Sequence, residues 1–192
     1  MSKKARLDAS DTSTNSRTQT TNTRRPTTTG TSATNPVFQE IIVAVSESRG
    51  IAPIAGLAIL NISLAEAVLC QICDTQTYVR TLHKLSVFAP TEVLFANTAR
   101  GSKLLGAVEE NLVKNGDQDL LITCIDRKYW NENSGFDFVR QLALSEDIEA
   151  LKVSLSGKFF AASCFAAAST PLDSLEYMSV AVAGYPNADA VG

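Results

Sequence analysis

An α/β domain built on a mixed β-sheet, with helices on both faces, is the fold class this 192-residue chain predicts. Three observations point there. The stretch from Ala65 to Phe95 reads as strand, helix, strand. Three apolar runs at the start are joined by links too short for crossovers, so they should be antiparallel neighbours. The later strand patterns alternate with helical ones, which requires crossover units. The length suits one domain of ordinary size.

Structure should begin near Val37. Ile41 to Val45 is a continuous apolar run suited to a buried central strand, broken by the polar turn Ser46 to Gly50. Ile54 to Ile62 and Ala67 to Ile72 read as the second and third strands. Asp74 can cap a helix start through its carboxylate, and a helix is predicted from there to Phe88. Tyr78, Val79, Leu82 and Leu85 recur on one side of it, with Arg80, Thr81, Lys84 and Ser86 on the other. Pro90 ends the helix, and Glu92 to Phe95 opens a fourth strand. Leu104, Leu105, Val108 and Leu112 line a second helix whose Glu109 and Glu110 face water, and Asn115-Gly116 should stop it. Leu120 to Ile125 is a fifth strand. Phe136, Val139, Leu142 and Ala143 mark a third helix from near Ser134, and Phe159, Phe160, Ala162, Cys164 and Phe165 a last helical patch. Three strands, then helix, strand, helix, strand, helix, is the order of an RNase H-like domain. The expectation is a mixed five-stranded sheet over residues 37–168. Pro171 and Pro186 punctuate residues 169–192, which read as an irregular tail with at most one helical turn around Leu175.

Residues 1–36 differ in kind. Sixteen are Ser or Thr, and Leu7 is the only branched aliphatic side chain, so this segment is predicted to be disordered. Lys3, Lys4, Arg6, Arg17, Arg24 and Arg25 oppose Asp8 and Asp11, a net +4, which leaves −7 for the remainder. A folded part this acidic is poorly suited to gripping a phosphate backbone broadly. The leader lacks the apolar face of a transit peptide and the apolar core of a secretion signal, and no apolar run approaches the ~20 residues that span a bilayer. An intracellular, soluble chain is expected.

Several long, non-repetitive stretches carry a resemblance. IIVAVSESRGIAP, GLAILNI, EAVLCQICDTQTYVRTLHKLSVFAPTEVLF, KLLGAVEENL, DRKYW and ALKVSLSGKFFAASCFAAA resemble the connector domain (domain II) of the MutS family. The likeness is strongest to its meiosis-specific fourth homologue, fungal type, and covers roughly residues 41 to 168. It implies a non-catalytic module that relays signals between DNA-clamping and ATPase parts. It also implies a nucleus-localised protein of mismatch repair and meiotic recombination. The fifth MutS homologue would be its heterodimer partner, and branched or mismatched DNA its ligand.

The departures narrow that reading. A Walker A loop needs G-x-x-x-x-G-K-[ST], whose amides cradle phosphates, and Gly101-Ser102-Lys103 lacks the upstream glycine and the spacing. The ATP and Mg²⁺ of the full-length family therefore have no predicted place here, and no cofactor is expected. The last apolar helix turns abruptly into Ser169-Thr170-Pro171, which reads as truncation before the lever and ATPase domains and should leave an exposed apolar helix end. Phe38-Gln39-Glu40 matches the Phe-x-Glu wedge of mismatch readers, but a wedge needs a rigid platform, and packing at a strand edge is the expectation.

Two rival functions compete with that reading. A metal-dependent nuclease of the RNase H-like type holds metals between carboxylates on central strands. Ile41 to Val45 offers none, and Glu47, Glu66, Asp74 and Asp126 fall at strand ends or turns. A lone His83 has no assigned Asp to orient it as a base. Cys70 and Cys73 form a C-x-x-C, but three residues along a strand place side chains on opposite faces, which is wrong for chelation. The other rival is a stand-alone protein-interaction module, suggested by the −7 charge. Arg127-Lys128-Tyr129-Trp130 is the one basic-aromatic cluster in the folded part and, with Arg24 and Arg25, the candidate nucleic-acid contact. Its bland alternative has Tyr129 and Trp130 closing the hydrophobic edge with the cations pointing out, and a single cluster on an acidic domain favours that packing.

Overall fold

β1 (Ile41–Glu47) is the axis of the sheet, buried on both sides over its first five residues. It runs antiparallel to β2 (Ile54–Asn61), with Ile41 opposite Asn61 and Glu47 opposite Ala55. β2 in turn runs antiparallel to β3 (Glu66–Cys73). On the other side β1 pairs in parallel with β4 (Glu92–Ala96), and β4 with β5 (Leu121–Ile125). The computed structural model describes residues 39–114, 120–170 and 178–183. Its sheet has six strands, in the order β5-β4-β1-β2-β3-β6. The expected α/β class with a mixed sheet is present, with one strand more than predicted.

Helices cover both faces, which is why β1 reads as an unbroken apolar run. Ile42 and Ala44 face a core shared with α3 (Glu132–Leu142), α4 (Ile148–Leu155) and α5 (Phe159–Ser169). Ile41, Val43 and Val45 face the opposite core, under α1 (Val79–Phe88) and α2 (Lys103–Val108). The period-two alternation of strand side chains feeds both. α5 is apolar nearly all round because it is enclosed: Ala161, Ala162, Phe165 and Ala166 to Ala168 are buried against β1 to β3 and α3.

The structure corrects the sequence reading in several places. α1 starts at Val79 rather than Asp74, because Asp74 caps from outside the helix. Its carboxylate accepts the amides of Arg80 at 3.3 Å and Thr81 at 2.8 Å across a loop, and Tyr78 takes a left-handed conformation (φ 53°) to turn the chain in. The buried face of α1 holds Thr81 and Leu85, whereas Val79 is 59% exposed. The Thr81 hydroxyl tolerates burial by donating to Asp74 at 2.7 Å.

The α-helical part of the second helix ends at Val108 and continues as a π-helical turn, Glu109–Lys114; the expected Asn115-Gly116 stop lies outside the described residues. α4 was not predicted. β6 (Ser179–Ala183) falls in the stretch expected to be irregular and pairs in parallel with β3. Leu175 lies outside the described residues. The end of α5 is not the exposed apolar patch that was expected. Ala166 to Ser169 are buried, Thr170 Oγ1 closes the last turn on the Ala166 carbonyl at 2.8 Å, and Met178 and Val180 join the same core. Phe159, the first residue of this apolar helix, is 55% exposed. Among the described residues no helix is long and apolar enough to cross a membrane.

Candidate nucleic-acid interface

The basic-aromatic cluster sits where β5 hands over to α3. Asp126 accepts the Lys128 amide at 3.5 Å and starts a single 3-10 turn, Arg127–Tyr129. Asn131 then caps α3, accepting the amides of Asn133 at 2.8 Å and Ser134 at 3.4 Å. Two short-side-chain caps in six residues force the chain around tightly and send neighbouring side chains in different directions. Trp130 goes inward: it is 4% exposed and packs in the core with Val139, Leu142 and Phe165. Arg127 Nη1 donates to the Trp130 carbonyl at 3.0 Å, and Lys128 Nζ lies 4.9 Å from the centre of the Tyr129 ring. Tyr129 itself is 37% exposed and does not join the core, against the expectation that it would close the hydrophobic edge.

The four residues therefore do not form one surface. Lys128 and Tyr129 border a shallow groove of about 310 Å³ with Asp137, Phe138 and Gln141 of α3. Arg127 and Trp130 border a different cleft. Buried Trp130 offers no ring face for base stacking; Tyr129 does. Arg24, Arg25 and Phe38 lie outside the described residues. Glu40 is exposed, and its amide donates to Ser63 Oγ at 3.1 Å.

The second cleft, about 350 Å³, opens at the carboxyl ends of β1 and β4 beside the residues that follow β5. Arg49, Arg100 and Arg127 all line it. Each follows a parallel strand by a few residues, Arg49 after β1, Arg100 after β4 and Arg127 after β5. In an open α/β sheet such positions share one crevice. The sequence reading singled out only Arg127. The signal for the other two was the strand boundary itself, combined with the parallel order of β1, β4 and β5, and the sequence alone did not show that order.

The carboxylates weighed for catalysis are dispersed. Asp74 caps α1 and Asp126 the 3-10 turn, while Glu66 is exposed at the start of β3. Burial would raise the Asp74 carboxyl, but hydrogen bonds from the Thr81 hydroxyl and the amides of Thr75, Thr81 and Arg80 outweigh it and hold the group below its ordinary range. Glu47, at the end of β1, takes a hydrogen bond from Tyr78. Burial, with this bond to an anion, pushes the Tyr78 phenol up to about 12. Among the described residues no group of three or more His, Cys, Asp and Glu side chains is placed to hold a metal ion. Cys70 is buried and Cys73 exposed, on opposite faces of β3, and His83 is exposed on α1.

No protein-family model matches the chain. It is 30% identical over 156 residues to MutS protein homolog 4 of Mus musculus, a match that takes in 79% of the chain and 15% of that relative. The human MutS protein homolog 4 is 30% identical over 147 residues, 74% of the chain and 15% of the relative. That of Saccharomyces cerevisiae is 26% identical over 129 residues, 65% and 14% respectively. Over about three quarters of its length the chain is similar to MutS protein homolog 4. It spans about 15% of the length of these relatives, so the similarity concerns one portion of each.

Proposed function

We propose that the folded part of this chain is a connector-type module of a MutS-family protein of mismatch repair and meiotic recombination. In the full-length protein it would relay between DNA-clamping and ATPase parts and perform no reaction of its own. The homology to MutS protein homolog 4 over three quarters of the chain carries this reading. The architecture supports it. A sheet enclosed by helices on both faces is a rigid body suited to transmitting displacement, and its candidate carboxylates are engaged as caps or scattered. ATP and Mg²⁺ would belong to other domains. The fifth MutS homologue as partner, branched or mismatched DNA as ligand and the nucleus as compartment follow from the same reading. The nuclease alternative would require Glu47 and Asp126 to act together on a metal, and the donor groupings give it no support.

The decisive experiment is a chimera. Full-length MutS protein homolog 4 carrying this chain in place of its own matching segment should restore crossover formation in cells lacking the gene. A chimera that is folded, abundant and inactive would overturn the proposal. Metal-dependent DNA cleavage by the purified chain, lost on Glu47→Ala or Asp126→Ala, would instead establish the nuclease.

A further inference from the structure

We propose that the cleft at the carboxyl ends of β1, β4 and β5 binds a phosphate group carried as a monoester on a small ligand or side chain. Three arginines line it, Arg49, Arg100 and Arg127. Among the described residues the ion pairs are Arg140 with Asp137 and Lys152 with Glu149, so none of the three arginines makes a direct ion pair there. Arg127 is held in place by its bond to the Trp130 carbonyl, while Arg49 and Arg100 are exposed and stand ready. Like charges brought together on an otherwise acidic domain repel one another. A dianionic ligand relieves that repulsion and can take bidentate hydrogen bonds from each planar fork.

Two further features suit an acceptor-rich guest. Ser102 adds a hydroxyl whose oxygen accepts the Leu105 amide and whose proton is free to donate, whereas Ser46 and Ser163, also in the lining, already donate to the Phe160 carbonyl. Trp130, also in the wall, keeps a buried indole N–H that has no acceptor among the described residues, a state that calls for a partner. Glu47 is the one carboxylate in the lining; it takes the Tyr78 hydroxyl, and its Oε2 is buried with no hydrogen-bond partner among the described residues, so it counts against an anion and is outnumbered three to one by the arginines.

Size sets the ligand class. About 350 Å³ lies near the low end of small-molecule sites, room for a phosphate and a small ester group and not for a duplex. Stacking of a nucleobase is disfavoured because the Trp130 ring is buried.

Trp130 is the only tryptophan of the chain, so fluorescence and the indole N–H resonance come from one residue in the wall of this cleft. The full chain would be titrated with inorganic phosphate, phosphothreonine and a short DNA duplex. A saturable response to phosphate and phosphothreonine is expected. An Arg49→Gln/Arg100→Gln double variant, with unchanged Tm, should weaken that binding by roughly tenfold or more. Absence of a saturable response in the millimolar range, or equal affinity in the double variant, overturns the proposal. A response to duplex without one to phosphothreonine also overturns it and assigns the arginines to a DNA backbone. The crossover-restoring chimera needs no occupant here, so the two readings fail separately.

Discussion

Gly135 of α3 lies directly against the backbone of Ala162 in α5, so close that a Cβ on Gly135 would overlap the Ala162 carbonyl. The two helices reach this separation only because neither presents a bulky side chain at the crossing. Gly135→Ala should therefore destabilise the domain by about 1–3 kcal/mol, the usual cost of overpacking, despite the better helix propensity of alanine. Gly106 is the contrasting case. It sits inside α2 with nothing within 4 Å of a built Cβ, so Gly106→Ala should stabilise by about 0.5–1 kcal/mol. Urea denaturation of both variants reads the opposite signs. Equal effects would mean that the α3–α5 contact is looser than described.

Asp74 and Thr81 make a second testable pair. Removing the carboxylate strips two first-turn amides and a buried hydroxyl of their acceptor, so Asp74→Ala should cost about 0.5–2 kcal/mol near neutral pH. The folded carboxyl titrates below its unfolded value of about 3.9, so its contribution is full above that value and is lost as pH falls through the folded one. The gap between parent and variant should accordingly shrink in acid. A gap that is constant with pH would show that the ionised carboxylate is not what stabilises the helix.

The four cysteines should separate by reactivity. Burial pushes the Cys164 thiol up to about 12, and its single S–H has two acceptors within reach, Gly56 O at 3.2 Å and Ser46 Oγ at 3.1 Å. Burial likewise pushes Cys70 up to about 11, while Cys73 is exposed. Alkylating agents attack the accessible thiolate, so native protein at about pH 8 should label first at Cys73. Cys70 and Cys164 should label only on unfolding. Mass spectrometry after a short pulse checks the order, and early labelling of Cys164 would mean that α5 lifts from the sheet.

Local pattern and long-range pairing were not equally legible in the sequence. The apolar run of β1, the strand starting at Glu92 and the Asp74 cap announce themselves through neighbours a few residues away. Val79 and Thr81 do not: their exchange of faces depends on a hydrogen bond to Asp74, seven residues back from Thr81 across a loop. Ile148, Leu151 and Leu155 carry helical spacing that sits close behind α3 and was not read as a separate helix. β6 is five residues of small side chains with one apolar alternation, too short to stand out, and only its pairing with β3 makes it a strand. The arginine cleft was invisible for the same reason, since its members are brought together by sheet order rather than by spacing.

The pairing of β6 with β3 yields the last prediction. Met178 is 1% exposed, donates its amide to the Leu142 carbonyl at 2.9 Å, and packs with Leu151, Phe165 and Val180 in the core under α3 to α5. Ser179 donates to the Ala65 carbonyl at 2.8 Å, which ties the strand to the left-handed turn before β3. Met178→Ala should cost about 2–5 kcal/mol, as for other large-to-small changes in a packed core. Removing residues 171–192 should do more. It would leave β3 as an unprotected edge and uncover apolar surface on Ala67, Leu69 and Leu151, which favours self-association. Thermal unfolding with light scattering distinguishes the outcomes. A shortened chain with unchanged Tm and no added scattering would return residues 178–183 to the irregular tail that the sequence alone suggested.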